Sequence, residues 1–83
     1  DGQQLYVHPA SRYSHEGEPL RFFDIMMRVR AGGEIALGYV ISNSHEHGGI
    51  GGAATIVVNP RQKAEVLRLR PGADFIITLG YNT

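Results

Sequence analysis

Cysteine is absent from this chain. That excludes both a disulfide framework and a thiolate zinc site. An excess of either charge sign is also absent, because eight Lys and Arg side chains face eight Asp and Glu. Broad nucleic-acid binding draws on surplus positive charge next to phosphates, so this balance argues against it. Long apolar runs are missing too. The longest, residues 35–41, has the length of a strand and falls far short of the ~20 apolar residues that span a bilayer. No signal peptide is visible. The chain opens on Asp1 rather than Met, and the expectation is a single domain, 1–83, that forms a piece of a larger membrane protein.

What is present is a modest core. A 9.1 kDa chain buries roughly 60–65% of its unfolded surface, so association would help to stabilise it. Residues 20–41 concentrate the buryable surface. Phe22, Ile25, Met26 and Val29 follow the i, i+3, i+4, i+7 spacing of one buried helix face, and Phe23 and Met27 would widen it. Asp24 and Arg28 are placed to pair at i, i+4. Gly32 and Gly33 supply the left-handed conformation that ends helices. The strand that follows should set Ile35, Leu37, Tyr39 and Ile41 on one face and Ala36, Gly38 and Val40 on the other. Gly38 inside it signals a bulge or the close approach of another backbone.

Leu5, Tyr6 and Val7 suggest an edge strand stopped by Pro9. Residues 42–54 are a glycine-rich loop. Residues 55–58 form a strand that ends at Asn59-Pro60. Residues 66–70 and 75–79 should pair as a hairpin around the turn Pro71-Gly72-Ala73-Asp74. The fold class that follows is α+β: a mostly antiparallel sheet of about five strands with one helix on a face, in the order β-α-β-β-β-β.

Candidate chemistry is sparse. Gly49, Gly51 and Ala54 match a dinucleotide-binding spacing, but a strand follows instead of the helix whose N-terminus would hold the phosphate. His45, Glu46 and His47 place two imidazoles around a carboxylate, a possible site for a divalent cation if a further ligand came from elsewhere, as from His8 or His15. The cofactor is otherwise undetermined. Ser11, Ser14, Ser42 and Ser44 lack any nucleophile elbow, so no enzyme is expected. Asn59, Lys63, Arg68 and Arg70 fall in or beside a local basic cluster and are the candidate ligand or interface residues.

Four phrases in order carry a family resemblance. They are Tyr13 with Gly17-Glu18-Pro19 ahead of Phe22-Phe23-Asp24, then Gly33-Glu34-Ile35-Ala36-Leu37-Gly38-Tyr39, then Val58-Asn59-Pro60 with Lys63, and last Leu69-Arg70-Pro71-Gly72-Ala73-Asp74-Phe75-Ile76-Ile77. Over about residues 5–80 the chain resembles the soluble C-terminal region of Castor/Pollux-type ion channels, a region similar to regulator-of-K⁺-conductance (TrkA-C-like) modules. Here Ala73 stands between the Pro-Gly turn and Asp74, where the family tends to place the acid directly. The resemblance implies a cytoplasmic regulatory or assembly domain of a potassium or other cation channel, homo-oligomeric, partnered by the rest of the channel chain and touching the membrane only through that parent. The alternative is a stand-alone small-ligand or metal-binding module centred on residues 45–54.

Overall fold

The computed structural model describes residues 2–43 and 53–82. Six strands and one α-helix follow in the order β1 (Gly2–Pro9), β2 (Leu20–Arg21), α1 (Phe22–Ala31), β3 (Ile35–Ser42), β4 (Ala54–Val58), β5 (Val66–Leu67) and β6 (Phe75–Asn82), with a short 3₁₀ turn at Ala10–Arg12. Four of them make one antiparallel sheet in the order β1-β6-β3-β4. The two-residue strands β2 and β5 pair separately. The α+β architecture with an edge strand at β1 stands, with one more short strand before the helix than the expected order contained.

The helix ends are satisfied as the sequence demands. Asp24 Oδ2 accepts the backbone N–H of Arg21 at 2.8 Å, and the carbonyl of Lys63 accepts that of Phe23 at 3.2 Å. At the other end Gly33 has φ +88°. The N–H groups of Gly33 and Glu34 turn back to the carbonyls of Arg30 and Val29, the paired 5→2 and 6→1 bonds of a Schellman closure. Asp24 does not pair with Arg28 as expected. A carboxylate in the first turn caps free N–H groups, and Arg28 instead forks onto Glu18 at 2.8 and 3.1 Å and onto the Tyr13 carbonyl at 2.6 Å.

Phe22, Ile25 and Val29 are buried against Ile76, Leu20, Leu69 and Ala10. Phe22 tilts onto Tyr39 with ring centroids 6.0 Å apart. Phe23 and Met27 do not widen this face and stay exposed, because a single helix lying on a sheet buries only the stripe that faces it.

Gly38 behaves as its position in a strand suggested. The register slips between Ala36 and Gly38, and a Cβ on Gly38 would lie 2.0 Å from the Val57 carbonyl oxygen. The bulge changes the parity of β3. Ala36 joins Tyr39 and Ile41 against the core, while Ile35 turns out to solvent. The simple alternation expected for β3 is therefore wrong on one side of the bulge.

The expected hairpin between 66–70 and 75–79 does not form. Strand β5 stops at Leu67 and pairs with β2. Leu69 drops into the core, and the Asp74 carboxylate takes the Arg70 N–H at 2.7 Å, the donor a ladder would have used. Both edges of β6 are already taken by β1 and β3.

Directly opposed residues of an antiparallel pair share a face. The inner face, toward α1, carries Tyr6 and His8 of β1, Ile76 and Thr78 of β6, and Tyr39 of β3. The outer face carries Leu5 and Val7, then Phe75, Ile77, Leu79 and Tyr81, then Ile35 and Val40, then Ile56 and Val58.

Candidate functional site

Three polar constellations lie around this framework. The first is the corner after β4. Asn59 has φ +51°, a left-handed conformation that Asn tolerates better than most residues. Its N–H donates to the Leu37 carbonyl at 2.6 Å, tying the corner to the bulge. Lys63 Nζ donates to Asn59 Oδ1 at 3.1 Å and to the Pro60 carbonyl at 2.6 Å. The ammonium group thus holds the corner closed. Beside it is an open cleft of about 330 Å³ with Phe22 and Tyr39 at its base and Asn59, Arg61, Gln62 and Glu65 on its rim.

The second constellation centres on Asp74, which is 1% exposed. Its carboxylate accepts the N–H of Ser42 at 2.9 Å and of Arg70 at 2.7 Å, and the Arg70 guanidinium at 3.1 Å. Arg70 also donates to the Ser42 carbonyl. Burial pushes the Asp74 carboxyl up, but the backbone N–H groups of Arg70 and Ser42, helped by the guanidinium, outweigh it and hold the carboxyl below its ordinary value. Arg70 is therefore a joint between the end of β3 and the start of β6. Among the described residues Arg68 is exposed and has no hydrogen-bond or ion-pair partner.

The third was not foreseen. Glu34 Oε1 accepts the Thr78 hydroxyl at 2.6 Å and His8 Nε2–H at 2.9 Å. The His8 ring is stacked on Tyr6 with centroids 5.5 Å apart and met edge-on by Tyr13. Arg12 Nη1 lies 3.3 Å from His8 Nε2. The Thr78 hydroxyl, then the His8 imidazole, hold the Glu34 carboxyl below its ordinary value. A neighbouring cavity of about 520 Å³ is lined by Arg12, Tyr13, His15, Arg28 and Glu34. It has charged walls of both signs but no activated nucleophile: Thr78 is fully buried and the buried Ser14 hydroxyl donates to the Ala10 carbonyl at 2.9 Å. The one hint in sequence was that Tyr6 and His8, two apart on a strand, share a face.

Of the residues singled out from sequence, Asn59 and Lys63 come together, Arg70 is engaged by Asp74, and Arg68 stands apart. No cavity is lined by all four among the described residues. His45, Glu46 and His47 lie outside the described residues. Within those residues no group of three or more His, Asp or Glu is arranged to hold a metal ion. No described helix is long and apolar enough to cross a membrane.

No family model matches the chain. Individual proteins do. A probable ion channel POLLUX of Oryza sativa subsp. japonica is 33% identical over 77 residues, 93% of this chain and 7% of that protein. The ion channel CASTOR of Lotus japonicus is 33% identical over 63 residues, 76% of this chain and 6% of that protein. The ion channel POLLUX of Lotus japonicus is 30% identical over 76 residues, 92% of this chain and 7% of that protein. The chain spans less than a tenth of the length of these curated relatives. The aligned stretch takes in nearly every element described above, and the chain belongs to the Castor/Pollux ion-channel family as the counterpart of one short segment of those proteins.

Proposed function

We propose that this domain is a cytoplasmic regulatory and assembly module of a cation channel, potassium channels included. In this reading it contributes no chemistry of its own. It couples self-association or the binding of a ligand to opening of a pore carried elsewhere in the parent protein. The observation that carries the reading is the family relationship to ion channels over 93% of the chain. Its support in the fold is a sheet that, among the described residues, is covered by a helix on one face and apolar on the other. A module of this kind transmits force through surfaces, and a ligand can shift such a system only by its different affinity for two arrangements.

The test is excision of residues 2–82 from the channel polypeptide that carries them, followed by patch recording and by sizing of the assembled channel in detergent. A changed open probability or a lost assembly supports the reading. Unchanged gating together with unchanged assembly overturns it.

The His45-Glu46-His47 triplet favours a second, separable reading, a metal- or small-ligand-binding module using residues 45–54. Calorimetry with Zn²⁺, Ni²⁺ and Ca²⁺ should then show binding that disappears in the double variant His45→Ala/His47→Ala. Unchanged binding in that variant rejects the site.

A further inference from the structure

The outer face of the sheet has no cover within the described residues. Leu5 is 63% exposed, Val7 61%, Ile56 64% and Val58 62%, and Ile35, Phe75 and Tyr81 are exposed as well. No charged residue stands at an outward register position of the four strands, from Gln3 at one edge to Val58 at the other. Antiparallel sheets with one wet face normally alternate apolar and polar residues. This sheet instead turns its apolar residues outward, the pattern of a covered layer rather than of a wet surface. With full exposure of such side chains near 150–200 Å² each, the seven named residues leave on the order of 700 Å² uncovered, larger than the biggest apolar patch of a typical monomer and close to the ~800 Å² per partner of a standard interface.

From this we infer that the outer face is a self-association surface, and that its occupant is the same face of a second copy. The chemistry favours a copy over a foreign partner for two reasons. A two-fold interface sets a surface against itself, so any charge on it meets its own like. No strand position on this face carries one, so the strands themselves meet no such penalty. A foreign partner is usually selected by complementary charge, and this face offers nothing to complement. Four twisted strands can stack on four others at about 10 Å with their axes within about 30°, the aligned packing of two sheets. The result is a helix–sheet–sheet–helix sandwich in which Ile56, Val58, Leu5 and Val7 lose their water. The inference deepens the assembly reading by naming the surface that does the assembling.

Sedimentation equilibrium of the 83-residue chain tests it. The wild type should show twice the 9.1 kDa chain mass in the micromolar range, and added salt should not loosen it, since no ion pair is involved. The double variant Val7→Lys/Ile56→Lys should be at least about 100-fold weaker in self-association, in keeping with the loss of two buried apolar anchors and the burial of charge. Met27→Lys, an equally exposed apolar residue on the helix side, should leave the dimer intact. Far-UV circular dichroism checks that the variants are folded, and the single variant Leu5→Lys replaces the double one if that fails. A wild type that stays monomeric up to millimolar concentration overturns the inference. So does a dimer that survives the β1 and β4 lysines, or one that Met27→Lys dissolves, because the contact is then elsewhere, for instance β4 edge to β4 edge. These results leave the gating reading to the excision experiment, which can fail or succeed independently.

Discussion

The two faces of the four-stranded sheet reverse the usual order. The face buried under α1 holds the polar and ionisable groups, with Thr78 fully enclosed and His8 and Glu34 joined to it. The face open to solvent holds Leu5, Val7, Ile56 and Val58 and no charge. A buried polar group is tolerated when it is hydrogen-bonded, and among the described residues no buried side-chain nitrogen or oxygen lacks a partner. The inner face is therefore complete as it stands, while the outer face is complete only against something apolar. The difference shows which face specifies the fold and which is free to serve assembly.

The largest effect expected from breaking this contrast is at the bulge that sorts β3 between the two faces. Gly38→Ala puts a methyl 2.0 Å from the Val57 carbonyl, a clash with backbone that only separation of β3 from β4 relieves. Thermal or urea unfolding should report a loss of about 3 kcal/mol or more, in the range of severe overpacking. Asp74→Ala comes next. It strands the N–H groups of Ser42 and Arg70 and leaves the guanidinium half-buried without its carboxylate, at a cost of about 2–4 kcal/mol in urea midpoint measurements.

Acid should act on the inner face and its surroundings, and the sign follows from the direction of each shift. Asp74 and Glu34 have folded-state carboxyls held below their ordinary values, and Glu18, forked by Arg28, is lowered to about 2. Each contributes stability that is present above its unfolded value and lost as pH falls through its folded value. Stability should thus hold near neutrality and fall below about pH 4.5, where unfolded carboxyls begin to take up protons. Glu34→Gln should flatten part of that decline, which a series of urea midpoints between neutral and acid pH would show. The smallest effect is expected outside. Ile56→Thr should change the stability of the monomer by no more than about 0.5 kcal/mol, as for other exposed positions, in dilute protein where association is negligible. A large loss there would mean that the outer face is already covered within one chain.

Local features of this fold were legible in the sequence because local physics decides them. The 3.6-residue spacing of Phe22, Ile25 and Val29 and the paired glycines at 32 and 33 mark the helix and its end. Gly38 marked the bulge, since nothing larger fits there. Partner choice was not legible. Residues 66–70 alternate well enough to suggest a hairpin with 75–79, but Leu69 is worth more in the core than in a ladder, and the flanks of β6 go to strands far away in sequence. The same holds for the polar sites. Arg70 reads in sequence as one member of a basic cluster because its carboxylate, four residues on, is reached only through the fold of a turn. His8, Glu34 and Thr78 come together only once β1, β3 and β6 are aligned, and no spacing along the chain announces that. The reversed faces were visible in part: Leu5, Ile56 and Val58 lie in runs with few charges, but the alternation needed to see which side was wet is broken by the bulge.

The strand that comes last in the sequence stands between the strand that comes first and the pair in the middle, so that Gly2 is paired with Asn82. Until residues 75–82 exist, β1 has nothing to bind and α1 has no Ile76 beneath it. Such long-range pairing delays folding, because a large loop must close before its contacts form. A growing polypeptide could pair β3 with β4 early, but it would carry the apolar strand β1 unpaired until residues 75–82 are made.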